Sequence, residues 1–224
     1  IDRGPDSRGV LRIVRAMAEK GEAACILGNH ELNAVHFATD HPEMEHQFLR
    51  PRTDKNLLQH IHFLSEYLRE GHEGIDELRK DIAWLQTLPL WIERDDLRIV
   101  HAAWLPEDID VLRAVSDEGH VPRACFWHPA SDTRTAIGRA VDRVLKGPEK
   151  KLPVSFKDAQ GHERRAARVR WWAEDPQGWD ELLMGPPRLF DALSAHPFEG
   201  ADIPCYGRDE PPVFFGHYWL PPDV

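Results

Sequence analysis

Three apolar runs in this chain end the same way, and that repetition constrains the fold more than any other feature. Ala23-Ala-Cys-Ile-Leu27 runs into Gly28-Asn29-His30-Glu31. Leu97-Arg-Ile-Val100 runs into His101, and Pro212-Val-Phe-Phe215 runs into Gly216-His217. Each reads as a short buried strand, a sharp exit and a polar side chain, and chemistry in α/β proteins gathers on loops beyond strand ends. One sheet therefore suffices to bring Asn29-His30, His101 and His217 together, although they are far apart in sequence.

The material between these runs is mixed. Ser7 to Gly21 carries Val10, Leu11, Val14, Met17 and Ala18 at helical spacing, with Gly21 as the stop. Residues 32–79 read as helix and loop, Asp81 to Trp91 as a short helix ended near Pro89, and residues 105–127 as a further helix with its loops. Thr135 to Lys146 begins as a helix and halts at Gly147-Pro148. Lys151 to Trp172 reads as two strands around a turn at Asp158–Gly161, and 186–212 is Pro-rich without clear periodicity. Strands alternating with helices predict an α/β fold.

Composition narrows the function. A formal charge of -10 gives no broad basic footprint, so extended nucleic-acid binding is not expected. Cys25, Cys125 and Cys205 are odd in number and lack a CxxC pair, which argues against a disulfide framework or a cysteine zinc site and for a reducing, cytoplasmic setting. No apolar run has membrane-spanning length. His36, His41, His46, His60, His62 and His72 lie in polar helix-like or loop sequence and are expected to be surface or structural residues.

An amide oxygen and neutral imidazoles suit a borderline divalent cation. Asp2 is placed to orient His30 through one ring nitrogen, and Arg3 offers a fork of donors to a phosphate or carboxylate. Metal, arginine and an oriented histidine together suit attack of an activated water on phosphorus, with His30 protonating the leaving oxygen. Glu31 reads equally as a helix-start acceptor or as support for the site. Trp171 or Trp172 reads as core, with stacking on a base as the alternative. Arg134 and Arg168 are candidate phosphate contacts; on a strand, Arg168 would share a face with Arg170. Trp219 is expected to pack the sheet end or the pocket wall.

Asp2-Arg3-Gly4-Pro5, Gly28-Asn29-His30-Glu31, Val100-His101-Ala-Ala-Trp104 and Phe214-Phe-Gly-His217-Tyr-Trp219 resemble, in order, the calcineurin-like metallophosphoesterases. They are most similar to the branch with bacterial Ser/Thr-type phosphoprotein phosphatases, symmetrical dinucleoside tetraphosphate hydrolases and RNA-repair phosphatase domains. The resemblance implies a mixed β-sandwich flanked by helices. It implies a single partial domain over 1–224, with a helical insertion around 32–80 and a family-variable region around 105–212. Asn29, His101 and His217 then correspond to ligands of the second of two divalent ions (Mn, Fe, Zn or Ni), His30 and Asp2 to the catalytic pair, and Arg3 to the phosphate-holding arginine. The expected function is a protein-phosphatase-like phosphomonoesterase acting on a phosphorylated protein or small metabolite. The alternatives are a dinucleoside polyphosphate hydrolase, a nucleic-acid end phosphatase, or a noncatalytic phosphate-binding or interaction protein. Family members carry Asp-x-His and Gly-Asp elements upstream of this motif. The resemblance therefore implies a chain truncated at both ends, lacking terminal strands, holding one metal ion or none, and inactive as it stands.

Overall fold

The structure, a computed structural model, describes residues 1–158, 161–198, 205–218 and 220, so Trp219 lies outside the described residues. Helix α1 (Ser7–Glu19) forms where the apolar spacing predicts it. Asp6 caps it by accepting the Gly9 amide at 2.7 Å. Gly21, at φ 73°, closes it: its N–H meets the Ala18 carbonyl at 3.0 Å, and the Glu22 N–H meets Met17 at 2.9 Å. Only glycine reaches that left-handed position without strain.

The expected strand at 23–27 does not form. Leu27 is fully buried and its N–H reaches the Pro89 carbonyl at 2.8 Å. No strand pairs with the segment among the described residues, and pairing is what makes a strand. Helices α2 (Asn29–Ala38), α3 (Asp54–Leu68) and α4 (Gly71–Leu85) fill the next stretch. The short helix expected from Asp81 is the end of α4.

Strands β1 (Trp91–Glu93) and β2 (Arg98–Val100) pair antiparallel. Helices α5 (Pro106–Arg113), α6 (Trp127–Ala130) and α7 (Ala136–Lys146) follow, the last capped by the Thr135 hydroxyl. Strands β3 (Glu149–Lys157) and β4 (Glu163–Val169) make the expected hairpin. Helix α8 (Trp179–Leu182), strand β5 (Leu183–Met184) and helix α9 (Pro187–Leu193) come next, α9 inside the Pro-rich stretch where no element is expected. Strand β6 (Val213–Phe215) returns parallel to β2, with Val100 opposite Phe215.

The architecture is mixed α/β, with two three-stranded sheets, β1-β2-β6 and β3-β4-β5, flanked by helices. The sheets feed two apolar clusters among the described residues. Trp91, Val100, Val213 and Phe215 join the larger one with α2–α5 and α7; Ala167, Val169 and Leu183 join the smaller one with Leu189 and Leu193. No helix among the described residues is long and apolar enough to cross a membrane.

One buried charge in this core makes stability depend on pH. Asp108 on α5 is 8% exposed, and Arg143 Nε lies 3.2 Å from its Oδ2 without aiming a hydrogen bond at it. Burial outweighs the arginine and pushes the carboxyl up to about 6. The folded state thus binds more protons than the unfolded chain between pH ~4 and ~6, and stability falls as pH rises through that window. Asp108→Asn is expected to gain about 1–2 kcal/mol in urea unfolding at pH 7 and little at pH 4. A loss at pH 7 would mean that the pairing with Arg143 dominates.

Candidate active site

The parallel pairing of β2 and β6 positions the site. With Val100 and Phe215 in register, the chain leaves both strands at the same level and in the same direction, so His101 and His217 emerge side by side. The start of α2 faces them. Gly28 there has φ -97° and ψ 173°, a conformation open to any residue, so the turn itself does not require glycine. Space does: a Cβ at that position would lie 2.5 Å from Glu31 Oε2 and 3.0 Å from His101 Cε1.

Asn29, His101 and His217 meet. Asn29 Oδ1 is 2.9 Å from His101 Nε2 and 3.2 Å from His217 Nδ1, and the two ring nitrogens are 3.3 Å apart. Burial, aided by the neighbouring His101 and Arg168, pulls His217 down to about 4, and burial lowers His101 as well. Both rings are therefore neutral at pH 7, the form with a lone pair to offer. An ion with bonds of about 2.1 Å sets adjacent ligand atoms about 3.0 Å apart in an octahedral shell and about 3.4 Å apart in a tetrahedral one. The triangle fits one face of such a shell. Among the described residues no group of three or more His, Cys, Asp or Glu side chains is placed to hold a metal ion. The triangle has two histidines and an amide, without a carboxylate to offset the charge.

Beside it, His30 Nδ1 donates to Asp2 Oδ2 at 3.0 Å, which leaves Nε2 for other chemistry. Burial pushes the Asp2 carboxyl up, but His30 and His60 together outweigh it and hold it at about 2. Asp2 and His217 both sit in the left-handed region, at φ 69° and 64°. Each costs about 1 kcal/mol or more, a pattern typical of functional positions.

His60 is the residue that sequence reasoning missed here. It is 1% exposed, and its Nδ1 lies 2.9 Å from the same Asp2 oxygen, off the line of a hydrogen bond, so the contact is electrostatic. The available signal was its spacing: His60, Phe63 and Tyr67 share the buried face of α3. A histidine on an apolar stripe is not a surface residue.

The remaining candidates disperse. Arg3 is exposed and makes no hydrogen bond or ion pair among the described residues. Arg134 is exposed and bonded to Asp132 at 3.0 Å. Arg168 gives its Nη1 to the Gly147 carbonyl at 2.7 Å and lies 3.4 Å from Glu149, where it clamps the end of α7 and reaches His217 only through its field. Glu31 takes the Ile1 nitrogen at 2.6 Å. Trp171 is core, its indole bonded to the Ala102 carbonyl at 3.1 Å, and Trp172 packs on Phe215 with ring centres 4.9 Å apart.

A mixed α/β chain thus gathers an Asn–His–His triangle beside an oriented His–Asp pair. No protein-family model matches the chain, and no solved structure matches it. It is similar to the symmetrical bis(5'-nucleosyl)-tetraphosphatase of Janthinobacterium sp. (strain Marseille), 28% identical over 84% of this chain and 48% of that protein. The enzyme of the same name from Ralstonia nicotianae is 32% identical over 87% and 50%, and that of Aromatoleum aromaticum 27% over 81% and 49%. The chain spans about half the length of the curated relatives it matches. All three similarities are to enzymes that carry one name, in keeping with the calcineurin-like metallophosphoesterase resemblance of the motifs.

Proposed function

We propose that this chain forms the active-site part of a metal-dependent phosphoanhydride hydrolase whose substrates are dinucleoside polyphosphates. The observation that carries the reading is the Asn29–His101–His217 triangle standing beside the Asp2–His30 pair. The phosphoprotein preference drawn from resemblance gives way, because all three relatives carry the tetraphosphatase name.

A divalent ion held by Asn29 Oδ1, His101 Nε2 and His217 Nδ1 would supply Lewis-acid stabilisation of phosphoryl oxygens. The protein's own groups do the rest. Arg3 binds the attacked phosphate. As a water oxygen bonds to phosphorus and the bond to the leaving oxygen breaks, His30 in its doubly protonated form gives its Nε2 proton to the leaving oxygen, and the attacking water releases one to solvent. Asp2 orients the His30 ring and offsets its charge.

Cobalt provides the test, since it reports its own coordination by visible absorption. The chain is expected to take up one ion weakly, and His217→Ala to weaken that uptake by about tenfold or more. In a protein that carries this chain together with the upstream Asp-x-His and Gly-Asp elements, hydrolysis of a bis(5'-nucleosyl) tetraphosphate should exceed that of a phosphopeptide and depend on the same residue. Unchanged cobalt affinity in the variant would overturn the ligand assignment; uptake without any hydrolysis would leave a phosphate-binding chain.

A further inference from the structure

Asp2 holds two histidines, and only one of them has a part in the reading above. The Asp2 side chain is 1% exposed, so water does not fix it, and its Oδ1 finds no hydrogen-bond partner among the described residues. Both of its ring contacts fall on Oδ2, His30 Nδ1 at 3.0 Å and His60 Nδ1 at 2.9 Å. The backbone beneath lies in the left-handed region at φ 69°, which a non-glycine residue keeps only where its surroundings over-determine it.

The two histidines differ in setting. His30 opens α2 and keeps part of its side chain exposed. His60 stands in the middle of α3, fully enclosed, with its ring centre 5.3 Å from that of Phe37. In a close-packed interior such a ring does not turn away from Asp2 without displacing its neighbours. A bare lone pair on Nδ1 would face the carboxylate charge at 2.9 Å in a dry setting, which is costly, so Nδ1 carries a proton. Packing alone would be served better by leucine or phenylalanine, since burying an imidazole costs free energy that its polar contacts must return.

Arg50 braces the same arrangement. Its Nη1 donates to Asn33 Oδ1 on α2 at 3.1 Å, and its Nη2 donates to Gln59 Oε1 on α3 at 2.7 Å. The guanidinium fork thus ties the helix that carries His30 to the helix that carries His60, through the residue next to His60. Burial lowers Arg50 and the Asp2 charge counters that, so the brace and the carboxylate favour each other.

We infer that His60 is a positioning residue for the Asp2–His30 pair: its Nδ1–H holds Asp2 Oδ2 electrostatically from the core side, so that the carboxylate keeps the orientation that engages His30 Nδ1 and leaves His30 Nε2 for the substrate. His60 touches no substrate and acts only through Asp2. The purpose of the link rests on the phosphoanhydride reading above, whereas the link itself is a property of the folded chain.

Nitrogen-15 spectra of the histidine rings test it on the 224-residue chain without metal or substrate, because protonated and bare ring nitrogens resonate in separate ranges. The signals that vanish in His30→Gln and His60→Asn assign the two rings. At pH ~8, above the ordinary imidazole range, wild type is expected to keep the His30 proton on Nδ1. His60→Phe fills the space without a donor, and most of the His30 proton is expected to move to Nε2. His60→Asn places an amide N–H near the former Nδ1 and is expected to restore the wild-type form. An unchanged His30 signal in His60→Phe overturns the proposal, and so does an asparagine variant that behaves like the phenylalanine one. Should His60→Phe fail to fold, the wild-type spectrum decides: His60 Nδ1 must itself bear a proton, and a bare Nδ1 there overturns the link. Failure of the hydrolase reading looks different, because the dependence of His30 on His60 would then persist in a protein that turns over no substrate.

Discussion

His30→Ala should lose about 10²- to 10⁴-fold in turnover on a phosphate ester or anhydride whose leaving oxygen needs a proton. The same variant should lose far less on p-nitrophenyl phosphate, whose leaving group departs readily as an anion. The difference follows from geometry. Asp2 occupies Nδ1 of the ring at 3.0 Å, so the other nitrogen is the one that faces chemistry. His30 keeps only 21% of its side-chain surface exposed and is bonded to Asp2, so unfolding midpoints should fall modestly and rates are compared on folded protein. Rates measured in parallel on the two leaving groups check this. A uniform loss on both would assign His30 to binding and not to proton transfer.

Trp171→Ala should give the largest loss of stability of any single change considered, about 3–5 kcal/mol in denaturant unfolding. The indole is 1% exposed and packs edge-on against Trp172, Tyr206 and Phe215. It also satisfies the Ala102 carbonyl, one residue beyond His101. Removing it opens a cavity, orphans that carbonyl and frees the loop that aims His101. Cobalt affinity should therefore fall with stability, whereas Trp171→Phe should retain most of both. A loss below 1 kcal/mol for the alanine variant would refute the packing account.

What could be read from the sequence was local. The α1 stripe and its Gly21 stop, the hairpin around Gly161 and the histidines at the ends of β2 and β6 depend on spacing over a few residues, and they stand where spacing puts them. The 23–27 segment shows where this reasoning ends. Its apolar run looks like a strand, but strand formation requires a partner chain alongside, which a segment's own composition cannot specify. His36 and Arg50 illustrate the second gap. They sit in polar-looking sequence and only packing turns them inward, whereas the spacing of His60 with Phe63 and Tyr67 carried a signal. The mixed α/β class with two sheets flanked by helices was legible, whereas the cluster that each sheet feeds is decided by packing.

The triangle at the site is closed by residues 72, 116 and 188 positions apart along the chain. Bringing them together requires loop-closure entropy over almost the whole sequence, which places these contacts among the last to form. A chain that lacks any one of the three residues would then lack the closed triangle. The spread of the three also makes ion uptake a reporter of completed folding: a divalent cation that binds only the closed triangle shifts the equilibrium toward the native state by mass action.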